Sequence, residues 1–337
     1  MNQTTSSAIL LCLALTVAGY ARDQKAIDPE SSSEKSSPPP QGTPSAQLSN
    51  SESPAENLDF TVSKHVHEVN LILSVTDSRG RFVDNLTADD FRLLDNHKSP
   101  QRLTYFQART NLPLRVILAI DVSSSIRDRL RFEQQAASIF LKNTLRGETD
   151  EAAIVTFGST VQEKTAGMTG DVGALDAAIH AVQAGGETAM YDAIVTSSGK
   201  LHENRRKSAV RPVIILITDG VDTASKMTLK AAEEAAIRSE AAIFALDANS
   251  VYETDPKGRL ILEKLTRETG GFVLPARENS DLKGAFRTIE KILRSQYALG
   301  YPPPDLELDG SFRSIEVTSI RRGLRVHARN GYYAPVR

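Results

Sequence analysis

The sequence predicts an α/β fold. A doubly wound, mostly parallel sheet is expected over residues 112–296, with a flanking β-rich module built from 58–108 and 297–337. Three observations predict it. Runs such as LPLRVILAID and VIILIT are apolar almost throughout, as strands buried on both faces are. These runs alternate with segments whose apolar residues recur at helical spacing. On either side the texture changes to short β-rich stretches broken by turn residues.

In chain order, Ala8 to Ala18 is an uncharged apolar run followed by AGYA, which reads as the core and cleavage site of a signal peptide over 1–21. Its eleven residues are too few to span a bilayer, which takes about 20. The basic start usual in such signals is missing, because no Lys or Arg precedes Arg22. Cys12 lies inside the apolar run rather than at its end, so it reads as an ordinary apolar residue of the signal, with lipidation as the lesser alternative. It is the one cysteine, so the processed chain has no disulfide, zinc thiolate or cysteine nucleophile. Residues 22–57 are rich in Ser, Pro, Gln and Glu and carry few large apolar side chains. They read as a disordered linker.

The β-rich segment 58–108 starts with VNLILSV (69–75) and the turn DSRG. Thr87 with Asp90 three residues on is the signature of a capping box for one short helical turn. FRLLDNHKSPQRLTYFQ reads as a hairpin turning at Asn96 to Pro100. From Leu112 the alternation begins. The strand RVILAI leads to a helix with Phe132, Ala136, Ile139 and Phe140 on its apolar face, then to the strand AAIVTF (152–157) and a short edge strand at Val161 to Lys164. Two helices, DVGALDAAIHAVQ and TAMYDAIVTSSGKLHENR, precede VIILIT. Then come the helix TLKAAEEAAIRSEA, the strand AIFALD, the helix RLILEKLTRETG with a glycine C-cap, the strand GFVL and the helix LKGAFRTIEKILRSQ. Residues 297–337 return to short strands, YALGY, FRSIEVTSI, LRVHAR and GYYAP, expected to join the 58–108 segment.

Composition narrows the functions. A formal net charge of -2 provides no general attraction to nucleic acid or anionic membrane. Trp is absent and aromatics are 6%, which excludes dense stacking platforms. The six histidines (65, 67, 97, 180, 202, 327) lack zinc spacing, and His65 and His67 read as a solvated strand face, with chelation by the alternating pair as the alternative. Asn204 to Lys207 reads as a basic helix end, and Arg321, Arg322 and Arg325 as an exposed face.

Doubly wound sheets place ligand sites in the loops at the strand C-terminal ends. Three such loops carry oxygen donors: Asp121, Ser123 and Ser125 after RVILAI, Thr188 in AGGETAM, and Asp219 after VIILIT. Two carboxylates and three hydroxyls form an oxygen-only set suited to a hard divalent cation, Mg2+ first and Mn2+ or Ca2+ as alternatives. Two acids balance one divalent charge, so the loaded site can accept one more anionic ligand. Singly, each residue has a plainer reading: Ser123 and Ser125 as helix caps, Thr188 as an N-cap, Asp219-Gly220 as a turn. Asp222 and Thr223 read as loop and cap residues, or as support for the site. Asp192 is either support or a solvated carboxylate near a helix start.

The motifs DVSSS, GGETAMYDAI and LITDG resemble the metal-ion-dependent adhesion site of von Willebrand factor A domains, the match covering about 112–296. The resemblance implies hydroxyls contributed by Ser123, Ser125 and Thr188, and aspartates at 121 and 219 acting directly or through water. The flanks, VTDSRGRFVDNLTADDFRLLD and QYALGYPPPD...GYYAP, resemble bacterial exported proteins of that group. The expected function is extracytoplasmic protein binding, in periplasm, envelope or outside the cell, with a partner's carboxylate completing the cation's shell. A scaffold with a purely stabilising metal is an alternative. A metal-dependent hydrolase is a third, weakened by the lack of a P-loop, G-x-S-x-G or HExxH motif.

Overall fold

The computed structural model describes residues 68–108, 112–203, 210–249, 256–305 and 307–336. The expected signal, the linker, His65, His67 and the basic stretch 204–207 lie outside the described residues.

Strand β1 (Val69–Thr76) opens the fold, followed by a single 3-10 turn at Ala88–Asp90. Asp90 closes the turn by accepting the Thr87 amide (2.8 Å), and it holds Arg321 in a bidentate ion pair (2.6 and 2.8 Å). Arg321 is therefore an anchor and not only part of an exposed face. Strands β2 (Phe91–Asp95) and β3 (Tyr105–Gln107) follow. They do not form the expected hairpin. Asn96 and His97 take positive φ in a tight turn bridging Asp95 to Lys98, but there the pairing stops.

The α/β part begins with β4 (Leu114–Asp121), buried along its whole length, and α1 (Leu130–Thr144). On α1 Ala136, Ala137, Phe140 and Leu141 face the core. Ile139 lies off that stripe and is exposed. Then come β5 (Glu151–Phe157), β6 (Val161–Glu163), α2 (Val172–His180), α3 (Met190–Glu203), β7 (Arg211–Thr218), α4 (Leu229–Arg238), β8 (Ala242–Asp247), α5 (Lys257–Thr269), β9 (Val273–Pro275) and α6 (Asn279–Arg294). Their sheet order is β6-β5-β4-β7-β8-β9, parallel except for the antiparallel edge strand β6. The order reverses direction beside β4, the switch point at which such sheets hold ligands. One apolar layer joins α1, α2 and α6 to the sheet, with Phe140 stacked on Phe286 at 4.6 Å. The other joins α3, α4 and α5.

The last strands are β10 (Tyr297–Tyr301), β11 (Phe312–Ser319), β12 (Arg325–Ala328) and β13 (Gly331–Tyr333). β1 pairs with β10 and β12, β3 with β10, and β2 with β11, so the two ends of the described chain share two antiparallel sheets. A separate core of Leu71, Leu73, Tyr297, Leu299, Tyr301 and Ile315 lies between them. Gly270 ends α5 in the left-handed region (φ 81) against β12, where a Cβ would come within 2.6 Å of the Ala328 carbonyl carbon. Only glycine fits both demands. No helix among the described residues is long and apolar enough to cross a membrane.

Candidate functional site

Asp121 ends the central strand β4, between β5 and β7, and is fully buried. One carboxylate oxygen accepts the Ser123 amide (2.8 Å), the other the Thr218 hydroxyl (2.8 Å). Burial pushes its pKa up, the bonds from Ser123 and Thr218 pull it down, and the charge of Asp219 raises it again. The two acids on neighbouring strand ends therefore feel each other. Ser123 and Ser125 place their hydroxyls 2.9 Å apart.

The three loops are tied to one another. The Gly185 amide donates to the Val122 carbonyl (2.6 Å) and the Ser124 amide to the Gly186 carbonyl (3.1 Å), joining the first loop to the second. Thr188 joins the second to the third: its amide donates to the Thr223 hydroxyl (3.0 Å), and its carbonyl accepts the amides of Thr223 (2.9 Å) and Ala224 (3.0 Å). Thr218 closes the ring, bonding Asp121 and also accepting the Gly220 amide (3.1 Å). Asp219 accepts the Val221 amide through its carboxylate (2.9 Å) and the Asn249 side-chain amide through its carbonyl (2.7 Å). Gly220 has φ 83, and a Cβ there would lie 2.5 Å from the Gly258 carbonyl oxygen, so this loop needs glycine where it crosses α5.

The plainer reading of Ser123 as a helix cap does not fit this geometry. The Ser123 side chain makes no cap bond. Thr188 is 7% exposed and stands two residues ahead of α3, which begins at Met190. Asp222 accepts the Tyr191 amide (3.1 Å) and the Ser225 hydroxyl (2.6 Å). Asp192 accepts the amides of Lys226 (3.1 Å) and Met227 (2.8 Å). Both are staples between the start of α3 and the loop after β7.

Residues beyond those singled out in the sequence also shape the rim. Arg129 donates to the carbonyls of Ala248 (2.5 Å) and Ala276 (2.6 Å), clamping the start of α1 to the ends of β8 and β9. Glu133, on the buried face of α1, is pushed up to about 7 by burial, against the pull of Arg129 and with the push of Asp121. Its contact with Arg129 (3.2 Å) is an ion pair without hydrogen-bond alignment. An acid between Leu130 and Ala136 on an apolar helix face was the sequence signal for it. Thr218 was legible as a polar residue ending a buried strand. Asn249 acts on a backbone carbonyl and left no such signal.

Among the described residues no three His, Cys, Asp or Glu side chains gather as a metal cluster. A cation at this rim must therefore draw on hydroxyls as well as acids. The donor set fits that demand: a buried carboxylate held only by neutral donors, a second acid within electrostatic reach, and the paired hydroxyls of Ser123 and Ser125 on the same loop. Oxygen ligands with few acids suit Mg2+.

Residues 116–221 match the von Willebrand factor type A domain family. No curated protein matches the chain. Among solved structures it is similar to BatB from Bacteroides thetaiotaomicron (19% identity, 54% of this chain and 100% of that one, TM-score 0.43). It is similar to a von Willebrand factor type A protein from Catenulispora acidiphila (13%, 74% and 75%, TM-score 0.47). It is also similar to the PilB minor pilin of Streptococcus sanguinis (13%, 55% and 62%, TM-score 0.46).

Proposed function

We propose that this chain is an exported, cation-dependent protein-binding module. Asp121, Ser123, Ser125, Thr188 and Asp219 hold one divalent cation, Mg2+ by preference, and a carboxylate of a partner protein completes its shell. The observation that carries the reading is the convergence of three hydrogen-bonded loops on a buried aspartate beside a second acid. The matched segment 116–221 contains all five residues, which supports it.

The residues divide the work. Asp121 and Asp219 supply negative charge that favours a cation over water alone. Ser123, Ser125 and Thr188 add neutral oxygen donors, so the loaded site is about neutral and takes an outside carboxylate without repulsion from surplus acids. Thr218 orients Asp121, and Asn249 steadies the loop of Asp219. A bound cation supplies an open coordination position for an anionic ligand.

The test is capture of proteins from the native envelope by the immobilised chain, in Mg2+ and in EDTA. Retention of a discrete partner in Mg2+, its loss in EDTA and its loss with Asp121→Ala is the expected result. Capture that ignores both EDTA and the substitution would favour a scaffold with a structural role instead.

A further inference from the structure

A cavity of about 190 Å³ opens next to the rim, its walls including Val122, Thr156, Ser159, Gln162, Lys164 and Gly185. It backs directly on the proposed cation loops. Val122 stands between Asp121 and Ser123, and its carbonyl accepts the amide of Gly185, three residues before Thr188.

The polarity of this cavity is one-sided. Its walls carry one charged group, Lys164, and no carboxylate. Among the described residues the Lys164 ammonium has one partner, the neutral amide oxygen of Gln162 (2.7 Å). The neighbouring acid Glu163 is engaged by Lys200. Thr156, 1% exposed, also lines the cavity. Ser159 uses its oxygen to accept the Glu187 amide (3.0 Å), which leaves its hydroxyl proton to donate. Thr156 reaches the cavity because it lies on the α2 side of β5, where the sheet edge is closed only by the short antiparallel β6.

We infer that this cavity is a second subsite, taking a carboxylate from the same acidic partner segment whose first carboxylate goes to the cation. The inference rests on the cation reading of the rim for its partner, and on the cavity's own chemistry for its ligand. An ammonium with no acid partner among the described residues, on a cavity wall that also carries hydroxyls, favours a compact anionic group. The volume holds a carboxylate side chain and excludes anything as large as a nucleotide. The partner would therefore carry two acidic residues in one short stretch, and one subsite alone would bind it weakly.

The two subsites can be read separately by amide NMR of the full chain, with acetate as the probe and EDTA present to silence the cation site. Acetate should shift amides at 156–164 and 183–185 saturably. Lys164→Gln and Thr156→Val should each weaken that binding, by about fivefold or more for the lysine, and Lys164→Arg should retain it. No saturable shift, an equal response to chloride, or unchanged binding in Lys164→Gln would overturn the inference. Mg2+ added in place of EDTA reports on residues 121–125, 188 and 219 in the same samples. Failure there would count against the cation reading, and a silent cavity beside a responsive rim would count against this one.

Discussion

Asp150 is the best point at which to test the packing argument quantitatively. It is fully buried at the start of β5, at the opposite end of the sheet from the rim. It accepts the Leu114 amide (2.9 Å), the Arg146 amide (3.0 Å), the Arg146 side chain (3.2 Å) and Arg294 (2.8 Å). One carboxylate thus joins β4, the segment after α1 and the end of α6. Burial alone would raise its pKa, but the bonds from Arg146, Leu114 and Arg294 outweigh burial and hold it down at about 2, against an ordinary 3.8. At about 1.4 kcal/mol per pH unit, that difference is worth about 2 kcal/mol of folding stability. The folded value lies below the unfolded one. The contribution is therefore present in full above about pH 4 and is lost as pH falls toward 2. Asp150→Asn should cost about 3 kcal/mol at neutral pH, because it also leaves two arginines short of their partner. Urea denaturation of both chains at a series of pH values measures this. The gap should narrow steadily below about pH 4. A cost under about 1 kcal/mol, or a gap that does not change with pH, would refute the reasoning.

Three further outcomes follow from the structure. Thr218→Val removes the hydroxyl that orients Asp121 and should weaken Mg2+ binding by about tenfold or more with little loss of fold, as titration calorimetry would show. Glu133 has a folded pKa of about 7, above the ordinary 4.5, so its ionisation costs stability as pH rises through that range. Glu133→Gln should therefore match the parent near pH 4 and exceed it by about 3 kcal/mol near pH 8 in urea melts with EDTA; a variant weaker than the parent at pH 8 would mean the Arg129 ion pair dominates. Gly270→Ala forces a side chain into the left-handed region and against Ala328, and should lower stability by about 2 kcal/mol in thermal melts, loosening α5 from β12.

Much of the α/β part was legible because local signals agree with burial. LPLRVILAID and VIILIT became strands buried on both faces, and Gly270 closes its helix as the sequence indicates. The β2–β3 segment was misread for a physical reason. The turn at Asn96 and His97 forms, but β2 takes β11 and β3 takes β10, partners about 200 residues away that no local pattern reveals. Ile139 was misplaced because helical spacing alone admits a neighbour of Phe140 that points outward. At the rim, the five oxygen-bearing residues stood out as motifs, whereas Arg129 and Asn249 act on backbone carbonyls and have no sequence signature. Likewise, the lysine of the adjoining cavity stands out only once β6 is seen folded back along β5.

Titration of Mg2+ into the chain by calorimetry, beside the Asp121→Ala and Asp219→Asn forms, tests the central claim most directly. One ion per chain, with the heat lost in Asp121→Ala and reduced in Asp219→Asn, is the predicted result. Identical heats in all three proteins, or none in any, would contradict it.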